Sequence, residues 1–579
     1  MVSNLELAGL FAEMAKLTKI ADGSAQSFRA RAYESAAKTL EGLASPAEDL
    51  SQAELMDLKG IGKASASRIK EYVETGSVAK LEELRATFPP DFLELVRIPG
   101  LGPKTAILLR DELDVNSVAD LKAALAAESV RDVTGLGKKT EENLARAVDR
   151  MGLTGKDRRT PILEAMSEAR RLVAELEAVP GVDSVQFCGS LRRFRDTVAD
   201  LDILVATEDG DPVVERLVGL ASVKETIGSG ETKTSVLTQA GLQVDLRIVR
   251  SDQWGAATLY FTGSKDHNIR LRQIAIDRGW LLNEYGLEDN ETGDVVASET
   301  EEGIYDALGL PFILPTLRED RGEIESALAG ELPDVVRDGD LRGDLHVHTD
   351  MSGDGDHSLE AMLDAAAALG LEYIAITDHA ENLTINGVGK DEMLAQRARI
   401  GELQADYPSM RILHGTELNI APDGSLDYDF DFLMGYDWCV ASVHSHFDLD
   451  REQQTVRLIE AMKHPAVNVI GHLIGRRVGK RPGIEIDVDA VLTAAELTGT
   501  AIEINSHLDR LDAPVEVLWQ AKGRDVHFVI STDSHRTGEL PQSRWGIRHA
   551  QRGWVDKKMI ANTWEAGLFL EWAARQRQV

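Results

Sequence analysis

The sequence predicts a multidomain protein of the α and α/β classes: a helical N-terminal region, a middle region with a mixed β-sheet and helices, and a C-terminal (β/α) barrel. Three observations support this fold class. Short helical stretches joined by glycine-containing loops fill the first 160 residues, β-rich runs begin near residue 184, and seven apolar runs alternate with amphipathic stretches after residue 340. At 579 residues the chain has room for three or more domains.

Composition narrows the class of protein. The hydrophobic content of 43% and the charged content of 28% are typical of a folded globular chain. No apolar run approaches the ~18 residues that a membrane span needs, and the N-terminus lacks a signal-peptide pattern, so we expect no membrane association. Two cysteines cannot form a disulfide framework, which suits a reducing cytoplasm.

The net charge of −34 is unusual for a protein that contacts nucleic acid, but it is unevenly distributed. Residues 1–160 contain 23 Lys and Arg against 25 Asp and Glu, so this segment is close to neutral. An acidic total argues against broad coating of DNA, but it leaves room for local contacts through loops and metal ions.

Three similar loops interrupt the N-terminal helices: residues 58–62, 98–102 and 133–137. Their paired glycines allow a tight turn that brings backbone N–H groups to a phosphate at a helix N-terminus. A plain helix–turn–helix corner explains one such loop equally well, whereas three loops favour DNA binding. The candidate contacts are Gly60, Gly62, Lys63, Gly100, Gly102, Lys104, Gly135, Gly137 and Lys138.

The middle region contains three acidic residues in two β-rich runs. Asp200 and Asp202 are spaced i, i+2, so they share a face of one strand, and Asp245 interrupts a second apolar run. Three convergent carboxylates can hold two divalent ions against a triphosphate. An Asp-x-Asp pair alone is as typical of a solvated strand edge. The preceding loop adds candidate phosphate contacts: Gly189, Ser190 and Arg193.

Seven apolar runs organise the C-terminal region: 341–348, 371–377, 411–418, 438–444, 467–473, 500–505 and 526–532. Repeated strand–helix units predict a parallel sheet, and seven of them suggest a closed or nearly closed barrel. Function in such barrels lies at the C-terminal ends of the strands.

Candidate metal ligands occur at six of these strand ends, and thirteen of the fourteen histidines follow residue 340. The candidates are His346, His348, Asp354, His379, Glu417, His444, His472, Asp533 and His535. Any one histidine could be a buried structural residue, but nine ligands at strand ends favour a multinuclear site. Six neutral imidazoles and three carboxylates carry a charge of −3, which suits three divalent ions. Mixed ligation of this kind favours Zn²⁺, Mn²⁺ or Fe²⁺ over Mg²⁺.

Residues beside these ligands are candidates for a supporting role. Asp344, Asp378 and Arg536 flank metal ligands and could orient them through hydrogen bonds. A basic loop, residues 475–481, could steer DNA toward the metals, although a solvated surface loop explains it as well.

Residues 341–579 resemble the polymerase and histidinol phosphatase (PHP) family on these nine positions. The resemblance implies a distorted seven-stranded barrel with a trinuclear centre, holding Mn²⁺ or Zn²⁺. The implied activity is a metal-dependent phosphoesterase, in particular a Mn²⁺-dependent 3′→5′ exonuclease, with 3′-phosphatase activity and cutting at abasic sites left open.

The middle region resembles the family X DNA polymerases, because the carboxylates are followed by Tyr260-Phe-Thr-Gly-Ser264. The resemblance implies a nucleotidyltransferase palm in which Asp200, Asp202 and Asp245 bind catalytic Mg²⁺ or Mn²⁺. It also assigns residues to the nucleotide sugar pocket and the nascent base pair: Tyr260, Phe261, Gly263, Asn268 and Arg272.

Three residues depart from the polymerase pattern. Phe194 and Ala199 stand where this family usually has Gly, and Gln243 replaces an Arg beside the third carboxylate. A bulky ring beside the phosphate-binding residues predicts an altered triphosphate geometry, so the efficiency of polymerisation stays open.

The N-terminal loops resemble helix–hairpin–helix motifs, and residues 1–80 resemble the lyase domain of these polymerases. The Schiff-base lysine of that domain falls on Arg68, which stays protonated and cannot form the imine. Lys63 and Lys70 are near but off position. We therefore expect weak or no lyase activity.

The order of the modules resembles the bacterial PolX family, in which a family X polymerase is fused to a PHP domain. The implied function is DNA repair by gap filling and 3′-end degradation, acting on DNA gaps, nicks or 3′ ends with deoxynucleoside triphosphates, as a cytoplasmic monomer. Two alternatives stay open: a polymerase core that serves only as a DNA platform, and a small-molecule phosphatase of the histidinol phosphate type. The predicted segments are 1–80 (lyase-like), 81–158 (two helix–hairpin–helix motifs), 159–250 (palm), 251–318 (nucleotide-selecting), 319–340 (linker) and 341–579 (PHP).

Overall fold

A computed structural model describes residues 4–576 except 23–26, 42, 44–45, 90–91, 93–94, 96–97, 99–100, 152–158 and 384. The chain forms two compact units, Met1–Arg159 and Thr160–Val579. Within the described ranges, no helix has the length and apolar character needed to cross a lipid bilayer.

The first unit is built from helices around one apolar core that includes Phe11, Ile69 and Leu109. As predicted, a helix follows each glycine loop. The three helices begin at Lys63, Pro103 and Lys138, directly after Gly62, Gly102 and Gly137. Gly100 lies outside the described residues. The helices are α1 Asn4–Ala21, α2 Phe28–Glu41, α3 Gln52–Asp57, α4 Lys63–Thr75, α5 Ala79–Thr87, α6 Pro103–Leu113, α7 Val118–Ala126 and α8 Lys138–Met151.

The second unit begins with a five-stranded mixed sheet in the order β2-β4-β7-β6-β5. Strands β4 and β7 run parallel and bring the predicted carboxylates onto neighbouring strands. The hairpin β5–β6 was not predicted. The elements are β1 Thr160–Pro161, α9 Ile162–Glu177, β2 Val182–Phe187, α10 Gly189–Arg192, β3 Thr197–Val198, β4 Asp200–Thr207, α11 Asp211–Val218, β5 Val223–Ser229, β6 Lys233–Thr238 and β7 Gln243–Val249.

A smaller layer of helices and a three-stranded antiparallel sheet follows, and its strands were also missed by the sequence reading. Residues 319–340 were expected to be a linker, but they contain a helix whose Ile324 and Ala327 pack into the core of this layer. Apolar residues inside the acidic segment explain the difference. The elements are α12 Trp254–Thr262, α13 Lys265–Asp277, β8 Trp280–Leu282, β9 Leu287–Asp289, β10 Val295–Ala297, α14 Glu301–Ala307 and α15 Glu323–Ala329.

The C-terminal region is the predicted barrel, with seven parallel strands in sequential order. A bridge between Val347 and Ser534 brings the last strand back to the first, so the ring is nearly closed. Its strands are β11 Gly343–Val347, β12 Tyr373–Ile376, β13 Arg411–Asn419, β14 Trp438–Ser442, β15 Val469–Ile470, β16 Ala501–Asn505 and β17 Phe528–Ser531. Its helices are α16 Leu359–Ala368, α17 Lys390–Leu403, α18 Phe430–Leu433, α19 Arg451–Met462, α20 Val488–Thr498, α21 Val515–Gln520, α22 Ser543–Arg552 and α23 Ala566–Gln576.

Candidate active sites

The nine candidate ligands of the barrel lie in one cluster, which we call the barrel centre, at the C-terminal ends of the strands. Glu417, on β13, is at its middle. One carboxylate oxygen lies 2.9 Å from His379 Nδ1 and 3.4 Å from His346 Nε2. The other lies 3.1 Å from His444 Nε2 and 2.9 Å from His472 Nε2.

The other ligands complete the cluster on the opposite side of His348. Asp533 Oδ1 lies 3.4 Å from His348 Nε2. Asp354 Oδ2 lies 3.4 Å from His379 Nε2 and 3.5 Å from His535 Nε2. Three groups of ligand atoms are compact enough to hold an ion each: His348–His379–His535, His346–His348–Asp533 and His379–Glu417–His444.

The chemistry of this donor set fits divalent metal ions. The Nε2 atoms of His346 and His348 are buried and have no hydrogen-bond partner within the described part of the chain. Burial and the neighbouring imidazoles lower the pKa of His348 to about 4, so its ring is a neutral ligand. Burial also opposes the charge on Glu417, but the surrounding histidines hold the pKa of Glu417 well below its usual value, so it is ionised.

Protons occupy part of this site in the absence of an ion. Burial lowers the pKa of His379, yet the Glu417 and Asp354 carboxylates outweigh burial and raise that pKa to about 10. A metal ion must displace this proton, so binding releases protons and strengthens with pH.

Buried hydrogen bonds orient the ligands, and two of the residues involved were missed by the sequence reading. Glu503, on β16, accepts from His346 Nδ1 at 2.7 Å and from the His472 backbone N–H at 2.6 Å. Asn505 donates to Asp533 Oδ2 at 3.2 Å. The signal was available, because a Glu and an Asn lie at the end of an otherwise apolar strand, the sixth of the ring, for which no ligand was predicted.

The flanking residues suggested by the sequence take different roles. Asp344 accepts from the Thr532 hydroxyl at 2.5 Å. Asp378 accepts from the Thr349 N–H at 2.7 Å. Arg536 lies away from the ligands and pairs with Glu539 at 3.0 Å.

A further cation reaches the barrel centre from the loop after β16. Arg510 Nε lies 3.3 Å from Asp533 Oδ2. In the basic loop 475–481, Arg476 pairs with Asp196 at 2.9 Å, and Arg481 donates to the Gly475 carbonyl at 2.6 Å. Arg477 forms an ion pair with Asp509, so three of the four basic residues of the loop are held by other residues, which weakens the idea that the loop steers DNA.

The three carboxylates of the palm also converge, at a site we call the palm centre. Asp202 and Asp245 are direct neighbours in the parallel register of β4 and β7, and Asp200 precedes them on the same face. A side chain at Gly189 would overlap the Asp202 carboxylate, and Gly189 has a φ of +59°. Glycine at this position therefore lets the loop backbone approach the carboxylates.

The electrostatics of the palm centre differ between its two strands. Burial and the adjacent Asp200 and Asp245 raise the pKa of Asp202 to about 7. Burial acts in the same direction on Asp245, but a hydrogen bond from Gln243 and an ion pair with Lys233 hold the pKa of Asp245 below its usual value. The Gln243 Nε2 donor lies 2.9 Å from Asp245, and Lys233 Nζ lies 3.1 Å from it. The residue that replaces Arg thus keeps a hydrogen bond to the third carboxylate without the charge.

The predicted nucleotide-contacting residues lie along α12 and α13. Asn268 Nδ2 donates to the Tyr260 carbonyl at 2.8 Å, and the Arg272 guanidinium is 5.9 Å from the Tyr260 ring centre. Phe261 packs edge-on against Tyr260 with ring centres 5.2 Å apart. Ser190 begins the turn of α10 beside Gly189.

Arg193 contacts residues of the smaller layer that follows the palm sheet. Its Nε lies 3.0 Å from Glu319, and its NH1 donates to the Thr262 carbonyl at 2.6 Å, next to Gly263. The Glu319 carboxylate therefore offsets the charge that Arg193 would offer to a triphosphate.

The glycine loops of the first unit present exposed lysines at helix N-termini. Lys63, Lys104 and Lys138 are exposed at the first turns of α4, α6 and α8. Gly60 and Gly135 have φ values of +99° and +91°, and a side chain at Gly60 would meet Ser35 Oγ at 2.6 Å. These positions thus require glycine, as the loop interpretation expects.

Comparisons with known protein families agree with this order of modules. Residues 2–78 match a helix-hairpin-helix domain, and residues 92–150 match a SAM-like helix-hairpin-helix tandem. Residues 257–319 match the DNA polymerase beta thumb, and residues 344–507 match the PHP domain.

Individual proteins are similar over most or about half of the chain. The DNA polymerase/3′-5′ exonuclease PolX of Bacillus subtilis (strain 168) is 38% identical over 542 residues, which cover 92% of this chain and 93% of that protein. DNA polymerase lambda of Rattus norvegicus is 26% identical, covering 52% of this chain and 54% of its own. DNA polymerase lambda of Arabidopsis thaliana is 28% identical, covering 52% of this chain and 60% of its own.

Proposed function

This chain belongs to the PolX family of bacterial family X DNA polymerases with a PHP domain, and we propose that it fills DNA gaps at the palm centre and degrades DNA 3′ ends at the barrel centre. The observation that carries the proposal is the convergence of both sets of predicted ligands, three carboxylates on β4 and β7 and nine side chains at the barrel strand ends. The substrates are gapped, nicked or 3′-ended DNA and deoxynucleoside triphosphates.

At the palm centre, we assign metal binding to Asp200, Asp202 and Asp245. Two Mg²⁺ or Mn²⁺ ions held there would neutralise triphosphate and primer oxygens during nucleotidyl transfer. The close approach allowed by Gly189 and the donors of Ser190 suit a triphosphate beside them. Deprotonation of Asp202 and opening of the Lys233–Asp245 ion pair precede productive binding.

At the barrel centre, we assign three ions, Mn²⁺ or Zn²⁺, to the nine ligands. Such ions would activate water and polarise a phosphodiester. The chain's own contribution is orientation: Glu503 fixes the His346 ring so that its Nε2 faces the cluster, and Asn505 fixes Asp533. Arg510, beside Asp533, adds a positive charge where a phosphate would enter.

We place the protein in the cytoplasm as a monomer. The two cysteines, Cys188 and Cys439, are buried free thiols, which a reducing compartment preserves.

The assignment of one activity to each centre is tested by a crossed pair of variants of the full chain. Primer extension and 3′-end degradation are measured on the same gapped DNA with Mg²⁺, Mn²⁺ and Zn²⁺. We expect His346→Ala to lose degradation and keep extension, and Asp245→Ala to do the reverse.

His446→Ala is the matched control. It removes an exposed histidine two residues after His444 that is absent from the ligand groups found among the described residues. Degradation at the wild-type rate by His346→Ala would remove the nuclease from the barrel. Undiminished extension by Asp245→Ala would remove the polymerase from the palm.

A further inference from the structure

The segment that follows β2, residues 189–196, contacts the barrel region, and we call it the phosphate loop. Phe194 within it is buried and has a φ of +61°. Its ring stacks on Trp545 of α22, with ring centres 5.9 Å apart and planes at 19°. Its carbonyl accepts a hydrogen bond of 3.2 Å from Arg552, at the end of the same helix.

The backbone of Phe194 explains why its side chain needs this partner. A positive φ costs conformational energy in any residue with a Cβ atom, and glycine avoids that cost. The family usually has glycine at this position, whereas this chain has a large aromatic residue. The stacking on Trp545 is the interaction that offsets the strain.

A partly buried ion-pair cluster lies two residues further along, at Asp196. Asp196 Oδ1 lies 2.8 Å from Arg552 NH1, and Asp196 Oδ2 lies 2.9 Å from Arg476 NH1. Burial alone would raise the pKa of Asp196, but the two guanidinium groups hold it well below its usual value. Both carboxylate oxygens are therefore charged and bound to the barrel.

Arg476 is itself anchored beside the barrel centre. Arg476 follows the ligand His472 by four residues, and its Nε donates to the Arg510 carbonyl at 2.8 Å. Arg510 in turn contacts the ligand Asp533 through its side chain. A continuous set of contacts thus joins the nuclease ligands to the phosphate loop.

Simple domain adhesion does not require these contacts. Leu508 and Leu511 of the barrel already complete the apolar core of the palm. The ion pairs and the aromatic stack fall instead on two positions of the loop, Phe194 and Asp196, within three residues of Arg193. Ion pairs with little exposure contribute little net stability, which again argues against adhesion as their main role.

We propose that Phe194 and Asp196 are positioning residues through which Trp545, Arg476 and Arg552 hold the phosphate loop ready for triphosphate. The barrel region is then part of the polymerase nucleotide site. This inference rests on the proposed polymerase function of the palm centre.

The test compares Arg552→Gln and Trp545→Ala with wild type in the full chain. We expect KM for the deoxynucleoside triphosphate to rise about tenfold and kcat to change less than about twofold, because the loop is positioned but no reacting group is lost. Arg552→Lys, which keeps the charge, should recover part of the affinity. Arg548→Gln is the control on the same helix, since Arg548 pairs with Asp338 at 2.5 Å and does not contact the loop.

A second readout does not depend on catalysis. Amide hydrogen exchange of residues 189–196 should be faster in Arg552→Gln and Trp545→Ala than in wild type and Arg548→Gln. Phe194→Gly removes the ring, and glycine adopts the positive φ of this position without strain. This variant therefore tests the proposal even if Arg552→Gln and Trp545→Ala unfold at a lower temperature than wild type. It should also raise KM.

The proposed polymerase function and the positioning role of the phosphate loop can be contradicted separately. If wild type does not extend primers in an Asp245-dependent manner, the proposed function is wrong, and the exchange data still report on the loop. If extension is normal and the three variants keep the wild-type KM and the wild-type exchange, the positioning role is wrong.

Discussion

The barrel centre collects nine ligands at the ends of a nearly closed ring of strands, whereas the palm centre collects three on one face of two strands. Barrel ligands such as His346 and Glu417 are almost fully buried and are fixed by further buried groups. In the palm, Asp200 is exposed, and Asp245 and Arg193 are paired with Lys233 and Glu319. The predicted ligands of the barrel centre are thus held by buried contacts among themselves, whereas two of the predicted palm residues form ion pairs with residues outside the predicted site.

The largest test of this contrast is Glu417→Gln. The Glu417 carboxylate lies 2.9–3.6 Å from five histidines at the ends of four strands, so its loss removes a negative charge shared by the whole cluster. We expect degradation of DNA to fall about 1,000-fold, because several kcal/mol of charge stabilisation are lost. Bound metal, counted by elemental analysis, should also fall, while primer extension continues. Metal content and nuclease rate equal to wild type would contradict the central role of Glu417.

Glu503→Gln tests whether the barrel centre depends on its supporting residues. Glutamine keeps the size of the side chain but weakens its hydrogen bonds to His346 and to the His472 N–H. Changes in such residues reduce metal affinity or activity by about 10–100-fold. The measurement is a Mn²⁺ titration of nuclease activity.

The palm counterpart is Gln243→Leu, where we expect a smaller change in extension because Lys233 still holds Asp245. Equal effects in the two centres would remove the contrast.

The two centres should also respond differently to pH. A metal ion binds the deprotonated form, so Asp202, with a pKa of about 7, should weaken palm binding about tenfold for each pH unit below 7 and little above it. In the barrel, His379 has a pKa of about 10 without an ion, so binding should keep strengthening from pH 7 to pH 9. Calorimetric titration with Mn²⁺ checks this, with Glu417→Gln isolating the palm and Asp245→Asn isolating the barrel. A barrel affinity that is flat above pH 7 would contradict the assignment of that proton.

The contrast also explains what the sequence could and could not predict. The barrel and its predicted ligands were accessible because strand ends recur at regular intervals and six of the seven carry a predicted metal ligand. Glu503 could have been predicted, because it lies in 500–505, the one apolar run of the seven without a predicted ligand. The partners of Asp196 were not, because Arg476 and Arg552 are hundreds of residues away and only the folded packing brings them together. The role of Phe194 could not be predicted either, because in the sequence it is only a departure from the polymerase motif. In the fold it stacks on Trp545.

The smallest expected effect concerns the glycine loops, which we expect to bind DNA for both centres. If the glycine loops bind DNA for both activities, Lys104→Ala should weaken DNA binding a few-fold and lower the salt dependence of log K by about 0.9 for the lost phosphate contact. Extension and degradation should then decline together at low DNA concentration and recover together at high concentration. Lys80→Ala is the control, because Lys80 pairs with Glu83 within a helix away from the glycine loops. A loss confined to one activity would mean that this loop serves a single centre, and that the palm and the barrel take up DNA by separate routes.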